Sequence, residues 1–192
     1  MKKIILIGGG GHCKSVIDVI EQEKKFQIVG IVDKPNLLGT RVLGYKVIGN
    51  DLDLEILKKK YNNALITVGH IKSPLLRIKL FNLASKVGFK FPSIISPRAY
   101  VSKHSTIGSG TVVMHNVVVN SNVFIGENCI INTKALIEHD CLISNHCHVS
   151  TNTTINGNVK IKSKCFIGSN TTTKDGITIK ENSFIGANSL VR

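Results

Sequence analysis

The second half of the chain carries an aliphatic residue at every sixth position. Sixteen of the seventeen positions hold Ile or Val, and Thr173 is the exception. A period of six matches neither a helix nor an alternating strand, and it is typical of a chain that coils through short parallel strands separated by turns. We therefore expect these aliphatic side chains inside such a coil. The positions are Ile95, Val101, Ile107, Val113, Val119, Ile125, Ile131, Ile137, Ile143, Val149, Ile155, Ile161, Ile167, Thr173, Ile179, Ile185 and Val191.

Two other positions of the hexad agree with this interpretation. Four residues after each aliphatic position the side chain is small or modest in size, which favours packing roles for the cysteines found there. These cysteines are Cys129, Cys141, Cys147 and Cys165. Three residues after the aliphatic position Asn is common, and Asn tolerates the left-handed backbone of a tight turn. The asparagines are Asn116, Asn122, Asn128, Asn152, Asn158, Asn170, Asn182 and Asn188.

Composition excludes several classes of protein. Apolar residues make up 42% of the 192 residues and charged residues 19%, so a packed core is expected rather than disorder. Only seven Phe and three Tyr are present, with no Trp, which suits a coil too narrow for rings. No apolar run is long enough for a membrane span, and the five cysteines form no CxxC pair. We expect a cytoplasmic protein without membrane insertion, whose charge of +13 favours anionic partners.

The first half of the chain alternates apolar strands with amphipathic helices. Strands are predicted over residues 2–7, 26–32 and 64–68, and helices over 12–24, 52–60 and 74–87, with an irregular stretch near residues 39–49. This alternation predicts a small Rossmann-like α/β domain with a parallel sheet. The domains are accordingly placed at residues 1–93 and 94–192.

A glycine run lies between the first strand and the first helix. Backbone N–H groups at such a position can bind phosphate. The dinucleotide fingerprint is incomplete, because Cys13 stands where its third glycine belongs, and this disfavours a dehydrogenase. Asp33, at the end of the second strand, could bind a ribose or base edge or only cap a turn. His12 could face a bound ligand or only solvent. The run consists of Gly8, Gly9, Gly10 and Gly11.

One histidine of the repeat region has the surroundings of a general base. His139 lies between Glu138 and Asp140, and a carboxylate can fix the tautomer of an imidazole and stabilise its protonated form. A solvated turn histidine is the alternative. If three hexads complete one turn, His139 stacks on Gly157, whose N–H could donate to a reacting carbonyl oxygen. His148 faces another edge of the coil, which a symmetric trimer could bring near His139.

The whole chain resembles the NeuD/PglD-type sugar acetyltransferases of the left-handed β-helix, or hexapeptide-repeat, acyltransferase superfamily. The resemblance lies in the hexads, in the start KIILIGGGGHCKSVIDVI and in the segment INTKALIEHDCLISNHCHVS. It implies an α/β N-terminal domain followed by a left-handed parallel β-helix. It also implies a homotrimer, with acetyl-CoA between adjacent β-helices and a UDP-amino-sugar held by the N-terminal domain. Family members usually continue past the last coil with a segment that helps enclose CoA, whereas this chain stops at Arg192.

The same resemblance implies roles for particular residues. His139 corresponds to the catalytic base, with Asp140 or Glu138 as the carboxylate that orients it. The residues matched to the acetyl-CoA site are Asn132, His148, Gly157 and Gly168. The residues matched to the nucleotide-sugar loop are Gly8, Gly9, Gly10, Gly11, His12 and Asp33. No metal is implied.

The expected activity is transfer of an acetyl group from acetyl-CoA to the amine of a UDP-linked 4-amino-4,6-dideoxy sugar, of the bacillosamine or legionaminic-acid type. O-acetylation of sialic acid or a related sugar is the alternative within the family. The zinc enzymes with a β-helix, of the carbonic anhydrase type, use a pair of histidine ligands five residues apart. No two histidines of the repeat region have that spacing, so a zinc enzyme is disfavoured. A nucleic-acid-binding scaffold is disfavoured too, because the basic residues are dispersed and have no stacking aromatics beside them.

Overall fold

The structure is a computed structural model that describes residues 1–192. It contains two compact units, one made of residues 1–69 and 75–92 and the other of residues 70–74 and 93–192. The second unit thus includes a short segment, residues 70–74, that the sequence places with the α/β half. None of the helices has the length and apolar character needed to cross a membrane.

The first unit is an α/β fold around a mainly parallel sheet. Its strands are β1 (Lys2–Ile7), β2 (Phe26–Val32), β3 (Arg41–Val42), β4 (Tyr45–Gly49) and β5 (Asn63–Ile66). Its helices are α1 (Gly11–Glu23), α2 (Leu54–Lys58) and α3 (Leu75–Lys86), with 3₁₀ turns at Pro35–Leu37 and Asp51–Asp53. The strand order is β3-β4-β2-β1-β5, and only β3 runs antiparallel to its neighbour. The predicted α/β fold is confirmed.

The hairpin of β3 and β4 occupies the stretch that the sequence predicts as irregular. Its two-residue turn has positive φ at both positions, 46° at Leu43 and 87° at Gly44. Such turns usually carry Asn or Asp before the Gly, because a branched apolar residue is strained with positive φ. Because Leu43 stands where Asn or Asp is usual, the sequence gives no signal of this hairpin.

The second unit is the predicted β-helix, in which seventeen two-residue strands form three parallel sheets. One sheet contains Ile94–Ile95, Val112–Val113, Ile130–Ile131, His148–Val149, Phe166–Ile167 and Phe184–Ile185. The next contains Tyr100–Val101, Val118–Val119, Leu136–Ile137, Thr154–Ile155, Thr172–Thr173 and Leu190–Val191. The third contains Thr106–Ile107, Phe124–Ile125, Leu142–Ile143, Lys160–Ile161 and Thr178–Ile179. Every strand pairs with the one eighteen residues away, as in Val119 with Ile137, so three hexads complete one turn.

The interior of the β-helix is filled as the hexad predicts. The repeated aliphatic side chains are fully buried from Val113 to Ile167, and so are the four cysteines of the small-residue position. Thr173, the one polar residue of the series, is also buried, and its Oγ1 accepts the N–H of Asn156 at 3.0 Å. The polar exception is therefore satisfied by a hydrogen bond.

From Gly110 onward, every turn between strands has one residue in the left-handed region. All eight predicted asparagines have φ between 53° and 59°. The same position of the hexad is left-handed when it holds Lys134, Asp140, His146 or Lys164, and Gly110 and Gly176 fill it elsewhere. The fold therefore imposes this backbone even on lysine, which rarely adopts it, and Asp140 has it as well.

Candidate active site

The imidazole of His139 projects from the turn after the strand Leu136–Ile137 and is exposed. Its Nδ1 lies 2.7 Å from Oδ2 of Asp140. Because an ionised carboxylate only accepts hydrogen bonds, Nδ1 carries the proton and Nε2 keeps its lone pair. This is the tautomer that a general base requires at Nε2.

The carboxylate of Asp140 is held from both sides. Its Oδ1 accepts a hydrogen bond from Nδ2 of Asn122 at 2.6 Å, and its Oδ2 accepts that of His139. The bond from Asn122, followed by the bond from His139, lowers the pKa of Asp140, so the group is ionised at neutral pH. Glu138 instead accepts from Nδ2 of Asn120 at 2.7 Å. The geometry therefore gives the orienting contact to Asp140 rather than to Glu138.

The pKa of His139 is raised above its ordinary value, chiefly by the hydrogen bond to Asp140. The charges of Asp140, Glu138 and Asp175 act in the same direction, while desolvation opposes them. The raised pKa makes the imidazole a stronger base, and it also means that the imidazole becomes protonated at a higher pH than an isolated histidine.

We expect Asp140→Asn to move the pH dependence of turnover. A general base works in its neutral form, so with His139 in that role kcat/KM is expected to fall as the pH drops through the pKa of His139. Loss of the carboxylate lowers that pKa, and the falling limb should therefore shift to lower pH, while the plateau rate drops roughly tenfold because the base is weaker. The measurement is a pH profile of both proteins, with Glu138→Gln for comparison. An unshifted limb in Asp140→Asn would show that this carboxylate does not act on the base.

Gly157 lies against the imidazole, one turn of the β-helix further on. A Cβ built at Gly157 would lie 2.9 Å from Cε1 and 3.0 Å from Nε2 of His139, so no larger residue fits without moving the ring. The Gly157 N–H donates to Oδ1 of Asp175 at 3.1 Å. The predicted stacking of His139 on Gly157 is thus present, and the amide has a partner of its own.

Asn132 and His148 form a second pair, at another edge of the β-helix. Nδ2 of Asn132 lies 3.2 Å from Nε2 of the buried His148. Nδ1 of His148 lies 2.5 Å from the carbonyl oxygen of His70, which can only accept, so Nδ1 carries the proton and Nε2 accepts from Asn132. The His148 ring also meets Phe166 edge to face, with 5.2 Å between centroids. Both polar side chains are thereby held in one orientation.

Gly168 has a packing reason for being glycine. A Cβ there would lie 2.5 Å from the backbone of the next coil, at the amide nitrogen of Ala187. Its own N–H donates to the carbonyl of Ile185 at 2.9 Å. A role of Gly168 in binding the acyl donor stays a prediction.

The glycine run lies at the carboxyl end of β1, in the first unit. The N–H of Gly9 donates to Oδ2 of Asp33 at 2.5 Å, and Oδ1 accepts the N–H of Lys34 at 2.7 Å. Gly8 has φ of 104°, and a Cβ there would collide with Val68. Steric contact with Val68 therefore requires glycine at position 8, and the backbone N–H of Gly9 is fixed by its hydrogen bond to Asp33.

A Cβ built at Gly10 or Gly11 would meet no atom within 4 Å, so packing does not require glycine at either position. Gly10 precedes α1 without a side-chain cap, and the first turn of the helix has no acidic residue. Exposed N–H groups at an uncapped helix start favour an anion. His12, in the same turn, is half-buried. Burial raises the pKa of the Cys13 thiol to about 11, so Cys13 is not a nucleophile at neutral pH.

A cleft of about 350 Å³ opens beside this run. Two predicted residues, Gly8 and Asp33, line it, and most of its wall is apolar. Its other lining residues are Ile7, Val32, Lys34, Pro35, Asn50, Asp51, Leu52, Val68, Leu76 and Leu80. An apolar cleft with a carboxylate at its edge can take a flat ring and a hydrogen-bond donor.

Sequence reasoning missed four residues that hold the predicted ones in place. Asn120, Asn122 and Asp175 each lie eighteen residues from the group they bind, so the three-hexad turn could have revealed them. His70 lies outside the repeat and 78 residues from His148, and no periodicity points to it. No group of three or more His, Cys, Asp or Glu side chains is arranged to hold a metal ion.

Comparison with known proteins gives two family matches. The PglD N-terminal domain matches residues 3–82, and the GMPPB C-terminal domain matches residues 89–191. No curated protein matches the chain in sequence.

Solved structures similar to this chain include a perosamine N-acetyltransferase from Caulobacter crescentus in complex with CoA and GDP-perosamine. The two are 32% identical over 100% of this chain and 89% of that chain, with a TM-score of 0.92. The acetyltransferase domain of PglB from Neisseria gonorrhoeae FA1090 is 29% identical over 100% and 92%, with a TM-score of 0.91. WeeI from Acinetobacter baumannii AYE shares the fold at 21% identity over 99% and 96%, with a TM-score of 0.76.

Together, the β-helix and these matches define an acyltransferase of the hexapeptide-repeat superfamily. Within that superfamily, the chain belongs to the NeuD/PglD-type sugar acetyltransferases, as the sequence predicted.

Proposed function

We propose that the protein transfers the acetyl group of acetyl-CoA to the amine of a nucleotide-linked 4-amino-4,6-dideoxy sugar. The observation that carries this proposal is the His139 site, where Asp140 fixes the tautomer and Nε2 faces the backbone of Gly157. A base next to a backbone N–H is what acyl transfer to an amine requires. The neighbours from Caulobacter and Neisseria support the donor, since one was solved with CoA and the other with acetyl-CoA.

In the proposed mechanism, Nε2 of His139 removes a proton from the amine as the amine nitrogen bonds to the acetyl carbon. The Gly157 N–H donates to the oxygen of the tetrahedral intermediate, which carries the negative charge. The carbon–sulfur bond then breaks, and the imidazolium returns its proton to the leaving thiolate. The products are an N-acetyl sugar and CoA with a free thiol, so His139 ends the cycle neutral.

The first unit offers a place for the nucleotide. We propose that the diphosphate binds the N–H groups of Gly10 and Gly11 at the uncapped start of α1, with His12 beside it. The nucleoside then lies in the apolar cleft, where Asp33 accepts a hydrogen bond from it. Each oxygen of Asp33 already accepts one N–H and retains a further lone pair, so this contact needs no rearrangement.

We propose the UDP-linked sugar, which the sequence resemblance implies, as the acceptor. The Caulobacter neighbour was solved with GDP-perosamine. The proposed acceptor therefore differs from that ligand in its nucleotide, which is UDP rather than GDP. The homotrimer and the roles of Asn132, His148 and Gly168 at the acyl donor remain predictions from the resemblance, and the cytoplasmic location remains a prediction from composition.

Acceptor profiling tests the proposal. The purified protein is given acetyl-CoA with matched pairs of acceptors that differ only in an amine or a hydroxyl at the 4-position, and the free thiol of CoA is followed. We expect turnover with the amino sugars and background rates with the hydroxy sugars, and the UDP-linked amine should react faster than its GDP-linked counterpart. Preference for the hydroxyl acceptors would instead establish O-acetylation, and no thiol release with any acceptor would contradict the proposal.

A further inference from the structure

Asp175 takes part in no step of the mechanism described so far, yet its carboxylate accepts the hydrogen bond of the amide that the mechanism uses. It lies eighteen residues after Gly157 and therefore one turn of the β-helix away. The Gly157 N–H donates to its Oδ1 at 3.1 Å. The carbonyl of Gly157 is occupied too, since it accepts the N–H of Gly176 at 2.9 Å.

The carboxylate and the imidazole border one small space. A Cβ built at Gly157 would lie 3.0 Å from Nε2 of His139 and 3.4 Å from Oδ1 of Asp175. An acyl oxygen bound by the Gly157 N–H must therefore enter the place that Asp175 occupies. The side chain of Asp175 is exposed and precedes Gly176 in a turn, so it can leave the Gly157 amide without disturbing the core.

We propose that Asp175 is a positioning residue. Its carboxylate accepts the Gly157 N–H in the free protein, and the acyl oxygen of the bound thioester displaces it from that N–H. The inference rests on the proposed function, because it assumes that the thioester binds here. Free CoA has no acyl oxygen, so it can bind while Asp175 stays in place. The displacement therefore weakens binding of acetyl-CoA and leaves binding of CoA unaffected.

The displaced carboxylate still serves the reaction. Asp140, Glu138 and Asp175 are the charged groups that face His139, and all three favour its protonated form. After the acyl oxygen takes the amide, Asp175 remains beside the imidazolium that forms during proton transfer. Its removal should accordingly affect two separate quantities, the affinity for the thioester and the pH dependence of turnover.

Calorimetric titration of the 192-residue protein with acetyl-CoA and with CoA tests this inference without any acceptor sugar. Because a hydrogen bond to a charged group is lost on binding, we expect Asp175→Ala to lower the Kd of acetyl-CoA by about threefold to tenfold, with the Kd of CoA unchanged. Asp175→Asn keeps a neutral acceptor for the amide, so its effect should be smaller. Glu181→Gln, which removes an exposed carboxylate paired with Lys164, is the control and should change neither Kd.

The outcomes separate the inference from the function beneath it. Suppose that the wild-type protein binds acetyl-CoA, and that Asp175→Ala changes the Kd of acetyl-CoA and the Kd of CoA equally or changes neither. The inference is then wrong, and the proposed function stands. If the wild-type protein binds neither ligand, the proposed function fails and the inference fails with it. In turnover assays, the acid limb of kcat/KM should also move to lower pH in Asp175→Ala, which loss of a merely structural contact would not cause.

Discussion

His139→Ala is expected to lower kcat by about 10²-fold to 10⁴-fold, the usual contribution of a positioned base. The physical reason is the loss of Nε2, the proposed proton acceptor, whose lone pair is left open by the hydrogen bond between Nδ1 and Asp140. The imidazole is exposed and contributes no core packing, so the protein should fold and bind acetyl-CoA with nearly unchanged affinity. Turnover is followed by release of the CoA thiol, and affinity by calorimetry.

The matched control for this variant is His104→Ala. His104 is another exposed histidine of the β-helix, and it is remote in sequence from the cluster around His139. It should keep full turnover. Near-wild-type turnover in His139→Ala would remove His139 from the mechanism, whereas equal losses in both variants would point to general damage to the fold.

Gly157→Ala is expected to lower kcat by about 10²-fold, because a displacement of the base by about 1 Å can cost that much. The added methyl group would lie at 2.9 Å and 3.0 Å from two atoms of the His139 ring, which must turn away. The backbone of Gly157 does not have the positive φ that would strain an alanine, so the effect is confined to the site. The measurement is kcat together with the thermal midpoint, which should change little.

Gly186→Ala is the matched control, because a Cβ at Gly186 would meet nothing within 4 Å. It should be almost neutral. Combining Gly157→Ala with His139→Ala adds a further test, since two changes that act on the same base are not additive. The double variant should be little slower than His139→Ala alone. A full further loss would mean that Gly157 acts independently of the base.

The fold was predictable to a large extent because a single six-residue period runs through the whole β-helix. The hexad places aliphatic side chains inside, and its register alone brings residues eighteen apart into contact, as with His139 and Gly157. The position of the turn was predictable from asparagine. The left-handed backbone of Asp140 follows from the same register, although Asp is not the residue that marks it.

The remaining features depend on contacts that no local pattern encodes. The turn at Leu43 has a backbone that its side chain disfavours, so the hairpin gives no signal in the sequence. The choice between Asp140 and Glu138 required knowing that Asn120 engages Glu138. The tautomer of His148 depends on the carbonyl of His70, which lies far away in the chain.

The most direct test of the account is to identify the atom that receives the acetyl group. After reaction with acetyl-CoA and the nucleotide-linked 4-amino sugar, the product is analysed by mass spectrometry before and after mild hydroxylamine, which cleaves esters and spares amides. The account predicts a nucleotide sugar that has gained one acetyl group and retains it under hydroxylamine. A product that loses the group would show transfer to oxygen, and an unmodified sugar would contradict the proposed activity altogether.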